Sequence, residues 1–157
     1  MEIPKFIDTG KDAPREDIKT IERDAVTIIV RNPKNRKYLG LRWKKLDWET
    51  FITGGIEPGQ SAEQAAREEV KEETGYVNLT LVSELPRYDA LFYHGGKQVN
   101  RLAHFRCFFF DLIDEEQVEV SNKEKEIHEP VWLSEDELKD FNLPEGHRFT
   151  FENIKNI

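Results

Sequence analysis

The sequence predicts an α+β fold in which helices sandwich a mixed β-sheet. Three observations carry this. Apolar, strand-like runs follow a charged N-terminal stretch, a glycine-bracketed and well-capped helix interrupts them near the middle, and further strands, one of them long and rich in Phe, lead to a late helix. Strands on either side of a single central helix, with another helix at the end, describe a sheet covered on its faces. A chain of 157 residues with 38% hydrophobic content, ten Phe, four Tyr and three Trp can bury one core, so one domain is expected.

Taken in order, residues 1–24 are charged and broken by Pro4, Gly10 and Pro14, and read as an N-terminal arm or linker, with the domain occupying residues 25–157. Residues 25–30 (Ala-Val-Thr-Ile-Ile-Val) form a strand, residues 32–35 (Asn-Pro-Lys-Asn) a turn, and residues 37–43 a second strand, which together predict a hairpin. Residues 48–53 alternate and deliver the chain into the glycine loop. After the helix, residues 79–85 and 88–93 read as two strands separated by Pro86, and His94-Gly-Gly-Lys97 as a hairpin turn. Residues 102–113, centred on Phe105, Cys107 and Phe108 to Phe110, are expected to lie centrally and be buried on both faces. Residues 114–129 read as an acidic loop and residues 131–133 as a short strand. Ser134 with Glu137 forms the capping box of the final helix.

The stretch that carries the chemistry runs from Gly54 to Tyr76. Ser61 with Gln64 makes a capping box and Gly75 is suited to the position past the C-terminus, so the helix is predicted over residues 62–74. At roughly 100° per residue, Ala62, Ala65, Ala66 and Val70 share one apolar arc, and Glu69 and Glu73 fall within about 20° of Ala62, with Glu72 beside Ala65. Carboxylates crowded on a partly desolvated face repel one another unless a cation compensates. A hard divalent ion, Mg²⁺ or Mn²⁺, suits oxygen donors of this kind. Gly54-Gly55 permits close backbone approach, and Pro58-Gly59 reads as a turn.

At these residues the chain resembles the Nudix family of pyrophosphohydrolases, whose signature is Gly, five residues, Glu, seven residues, Arg-Glu, an aliphatic residue, any residue, Glu-Glu, any residue, Gly and an apolar residue. Gly54, Glu69-Val70, Glu72-Glu73 and Gly75-Tyr76 match; Gln60 stands where the family has Glu, and Glu68 where it has Arg. The resemblance implies a Nudix-type α/β/α sandwich and a Mg²⁺-dependent attack of water on a diphosphate linkage in a nucleoside diphosphate derivative. It implies Glu69, Glu72 and Glu73 as metal ligands with a backbone carbonyl from Gly54, and a general base chosen among Glu69, Glu124, Glu126 and Glu129, of which Glu129 leads straight into the last strand. Glu69, Glu72 and Glu129 are therefore the expected catalytic residues.

Arg42, Arg87 and Arg101 are candidates to clamp phosphate, and Trp48, together with Trp43, Phe51, Tyr88, Phe92 and Tyr93, to stack on a nucleobase. The histidines at 94, 104, 128 and 147 share no metal-ligand spacing, which argues against a His-based zinc site. The flanks, including Trp43-Lys-Lys-Leu-Asp-Trp48 and Asn100-Arg-Leu-Ala-His-Phe105, are similar to Nudix-type domains inserted in some bacterial leucyl-tRNA synthetases. This supplies an alternative reading, a weakly active accessory module, which the departures at Gln60 and Glu68 favour.

A net charge of −8 works against nucleic acid as a partner of the isolated domain and requires local cations for any phosphate substrate, here a small nucleotide. One cysteine, Cys107, excludes an intrachain disulfide, and without a signal-like N-terminus or an 18-residue apolar run the chain is expected to be cytoplasmic and off the membrane. The family often forms homodimers, though no coiled-coil heptad here argues for one.

Overall fold

The computed structural model describes residues 2–157. In chain order its elements are β1 (Lys5–Ile7), a 3-10 turn (Gly10–Asp12), β2 (Thr20–Asn32), β3 (Lys37–Trp43), β4 (Glu49–Thr50), β5 (Ile52–Gly55), α1 (Ala62–Thr74), β6 (Leu79–His94), β7 (Val99–Leu112), α2 (Asn122–Ile127), β8 (His128–Leu133), α3 (Glu135–Asp140) and α4 (Glu145–Ile154). The strands join in one mixed sheet of order β1-β6-β7-β2-β3-β4, with β5 paired to β2 and β8 to β3. Its spine is the parallel pair β2 and β7, in register from Thr20 opposite Asn100 to Arg31 opposite Asp111.

Parallel strands in the middle of a sheet must bury both faces, and the alternation along the spine shows how. Ala25, Ile29, Phe105, Cys107 and Phe109 point into one core, with Leu138 of α3 and Phe151 and Ile154 of α4. Val26, Ile28, Val30, Phe108 and Phe110 point into the other, against Ala62, Ala65, Ala66 and Val70 of α1. Small residues on α1 let it lie close to the sheet, and its ends coincide with the sequence signals. The Ser61–Gln64 capping box is formed in both directions, and Gly75 adopts φ 84°, where an added methyl would run into the Val118 carbonyl.

Six elements differ from the sequence reading. β2 begins at Thr20, and Lys5, Phe6 and Ile7 add a parallel strand to β6 opposite Asp89, Ala90 and Leu91, so much of the N-terminal segment is built into the sheet. β6 is one strand, not two: Pro86 falls at a register shift between Leu85 and Tyr88, a bulge where its missing N–H costs no ladder bond. The acidic stretch expected to be a loop contains α2, capped by Ser121 accepting from the Glu124 N–H, and β8 starts at His128. Finally, α4 follows the expected last helix as an additional one; it begins after Pro144 without a side-chain cap, so no cap signal marks its start. Among the described residues no helix is long and apolar enough to cross a membrane.

Candidate active site

A cavity of about 630 Å³ opens where β2, β5 and α1 meet the ends of β6 and β7, α2 and the start of α4. Its size fits a nucleotide-scale ligand. Helical spacing brings Glu69 and Glu73 of α1 to its wall, as the 100° arithmetic requires, while Glu72 lies one face further round, exposed and outside the lining.

Glu73 is the buried member. It sits with Glu124 of α2 and His128 of β8 so that one ligand atom from each lies within 4.8 Å of the others. His128 Nε2 is 3.3 Å from Glu73 Oε1 and 3.3 Å from Glu124 Oε2. Burial lowers the pKa of His128, so the ring is neutral and cannot offset the two acids. Burial, then Glu124 and Glu72, raise Glu73 well above the ordinary carboxylate range. Its Oε2 and His128 Nδ1 are buried without hydrogen-bond partners. Glu69 lies against Gly54, where a methyl would overlap its carboxyl carbon. Burial first, then Glu73, Glu72 and Glu124, push its pKa up to about 8. Mutual repulsion, a dry setting and an orphaned carboxylate oxygen are what a divalent cation would relieve, and the oxygen-rich donor set fits one.

The two departures from the Nudix signature have readable consequences. Gln60 Oε1 accepts from the Glu57 N–H at 3.0 Å and closes the Pro58-Gly59 turn, work that a glutamate oxygen would do equally. Glu68 is exposed, and its charge adds to the raised pKa of Glu72. Arg67 does not replace the missing arginine: it pairs with Glu63 at 3.0 Å and donates to the Leu79 carbonyl.

Of the remaining candidates, the structure brings Trp48 and Arg101 to the cavity, with Trp43 and Phe92. Trp48 Nε1 donates to Asp12 Oδ2 at 3.0 Å, and its ring packs edge-on against Trp43 and Phe92. It does not bring Arg42, Arg87 or Glu129. Arg42 lies on the outward side of β3 and pairs with Glu49, Arg87 is exposed at the β6 bulge, and Glu129 follows buried His128 on a strand, so alternation turns it to solvent. Glu124 of α2 stands where Glu129 was expected. The Glu124–His128 pair had a sequence signal, an i, i+4 spacing behind a Ser121-x-x-Glu124 cap, in the stretch that reads as loop.

At the far wall Asp8, Asp12 and Glu145 line the cavity, and burial, then the other two acids, raises Asp8 to about 6. His147 also lines it and is buried; Nδ1 accepts from the Phe51 N–H at 3.0 Å, and burial pushes its pKa down to about 3. The floor is cationic: Arg23 on β2 lies over Gly55, beside Arg101, His94 and Lys97.

Comparison with known proteins agrees with this geometry. The NUDIX domain family model matches residues 21–154. No curated protein sequence matches the chain. Among solved structures it is similar to the ORF135 protein of E. coli (21% identity over 92% of this chain and 94% of that one, TM-score 0.59). It is also similar to the NUDIX domain of NrtR from Shewanella oneidensis, solved with ADP ribose (13% identity, 87% and 88% covered, TM-score 0.65). A third is a MutT protein from Methanosarcina mazei Go1 (20% identity, 88% and 96% covered, TM-score 0.59). With a family match over most of its length and a glutamate-lined helix at the head of its cavity, the chain belongs to the Nudix family of hydrolases, which act on phosphoric anhydride bonds.

Proposed function

We propose that this Nudix hydrolase is a Mg²⁺- or Mn²⁺-dependent pyrophosphohydrolase that cleaves the diphosphate linkage of a small nucleoside diphosphate derivative. The observation that carries the reading is the convergence of Glu69, Glu73 and Glu124 on a partly buried site where Glu73 Oε2 has no partner. When bound, the divalent ion neutralises the diphosphate and lowers the pKa of a water. Glu73 and Glu124 would hold it, with His128 Nε2 hydrogen-bonded to Glu73 and 3.3 Å from Glu124 Oε2. Glu69, fixed over Gly54, accepts the proton as water attacks phosphorus; the bond from phosphorus to the bridging oxygen breaks, and two phosphate-containing products leave. Trp48 and Phe92 offer ring faces to the nucleobase, and Arg101 its guanidinium to phosphate. ADP ribose, bound by the Shewanella NUDIX domain, is a member of this substrate class.

The test is phosphate release from a panel of canonical and oxidised nucleoside triphosphates, ADP-ribose, dinucleoside polyphosphates and NADH, with each metal. Turnover of at least one that disappears in Glu73→Gln while the variant still folds is expected. Binding without cleavage would instead support the accessory-module reading, which exposed Glu68 in the arginine position favours.

A further inference from the structure

We propose that Arg23 and Arg101 form a second anion subsite on the cavity floor, one that takes a phosphate of the substrate outside the pair held at the glutamates. Four observations lead there. First, the two side chains share a face. Arg101 is in register with Ile21 and Ala103 with Arg23, so residues 21, 23, 101 and 103 line one side of the parallel pair, and the two arginines are diagonal neighbours about 7 Å apart at the backbone. Second, Arg101 is only 8% exposed, yet its side chain makes no hydrogen bond or ion pair with any described residue, and it lines the cavity. Third, the acids nearest Arg23 in the chain cannot serve it: Glu22 and Asp24 alternate to the opposite face, where they surround His104. Fourth, Arg23 lies flat over Gly55, next to Gly54 and the Glu69 that covers it, so the floor begins where the acidic wall ends.

Two guanidiniums side by side repel when the site is empty: Glu69 offsets only Arg23, Arg101 has no acidic partner among the described residues, and burial together with the Arg23 charge pulls the Arg101 pKa down. In a chain of net charge −8 two adjacent arginines on a cavity floor suit an anion with at least two charges, and their planar forks match phosphate oxygens. His94, held neutral by burial and by Arg101 and Lys97, adds a further polar group at the edge. Resting on the hydrolase reading for its substrate, the pair assigns a class: nucleotides whose phosphate chain continues past the cleaved linkage, such as nucleoside triphosphates, over diphosphates closed by an uncharged sugar.

The deciding experiment is calorimetric titration of inorganic phosphate into metal-free protein in chelator at low ionic strength. Wild type is expected to bind; Arg101→Gln and Arg23→Gln each weaken binding at least tenfold, and Arg106→Gln, on the other face beside Glu84, leaves it unchanged. Equal binding by wild type and both floor variants, or none by wild type, overturns the subsite even if nucleotides are cleaved. With metal, Arg101→Gln should also lower the triphosphate-to-sugar-diphosphate ratio of kcat/KM at least tenfold. If no nucleotide is cleaved, the hydrolase reading fails while the phosphate titration still decides the subsite; if Arg101→Gln does not fold, half-buried Arg23 decides it.

Discussion

Replacing Glu73 by Gln should stabilise the metal-free protein while removing the stabilisation that a divalent ion confers. Glu73 Oε2 is buried without a partner, and a buried unsatisfied acceptor costs about 1–3 kcal/mol, more if charged. Gln keeps the shape, lets its carbonyl accept from His128 Nε2, and removes an acid from beside Glu124. A gain of about 1–3 kcal/mol raises Tm by roughly 3–9 °C in a domain of this size. In wild type, an ion at a hundred times its Kd adds about 2.7 kcal/mol, or roughly 5–10 °C. Thermal melts of both proteins, in chelator and then in Mg²⁺ or Mn²⁺, read both effects. The pH dependence supplies a cross-check. Glu69 keeps its proton in the folded metal-free protein to about 8, whereas the unfolded chain releases it near 4.5. Metal-free stability is therefore highest below that window and falls as pH rises through it, and Glu69→Gln flattens the fall. A variant Glu73→Gln that melts below wild type in chelator, or that keeps the full ion-dependent increment, would refute this account of the site.

Gly54→Ala puts a methyl onto the Glu69 carboxyl and should cut turnover about a hundredfold with a near-native melt, because a displacement near 1 Å is enough to disarm a positioned base; circular dichroism beside steady-state kinetics checks it. Glu124→Gln should lower turnover by orders of magnitude, whereas Glu129→Gln, exposed on β8, should match wild type in the same assay. His147 is buried neutral with a pKa near 3 against its ordinary 6.5, so its contribution is complete above 6.5 and is lost as pH falls toward 3. The loss runs at up to about 1.4 kcal/mol per pH unit, and an acid denaturation series on His147→Gln should show that slope removed.

How much of this was legible in the sequence follows from how local each cause is. α1 was readable to the residue because its cap, its C-terminal glycine and its apolar arc all lie within about fifteen positions, and the same spacing turned Glu69 and Glu73 inward. The sheet as a class was readable from alternation and order. The site was only half readable, because its other half is made by pairing. Arg23 and Arg101 become neighbours through the parallel register of β2 and β7, which no local pattern encodes, and Phe6, Asp8 and Asp12 reach the cavity because β1 docks on β6. Arg42 and Glu129 show the reverse: their chemistry suited the site, but a strand period of two sends each to the wrong side of its own backbone. α2 was missed despite Ser121 because one six-residue helix in an acidic stretch has too little apolar face to announce itself.

Glu68 tests whether the departure from the Nudix signature is repaired elsewhere. On α1 it stands one turn before Glu72, a like-charge i, i+4 pair that costs a few tenths of a kcal/mol, and its charge contributes to the raised pKa of Glu72. Glu68→Arg turns that repulsion into attraction, worth about 0.5–1 kcal/mol and therefore roughly 1–4 °C in Tm. Its effect on turnover depends on where the site obtains its cation. Arg23 already lies over Gly55 and lowers the pKa of Glu69 from the sheet side, while residue 68 faces solvent. The restored arginine should therefore raise the melt and leave kcat within a few-fold of wild type. A rise in kcat of tenfold or more would mean that Arg23 does not stand in for the missing helix cation, and that Glu68 holds this chain in a low-activity form suited to an accessory role.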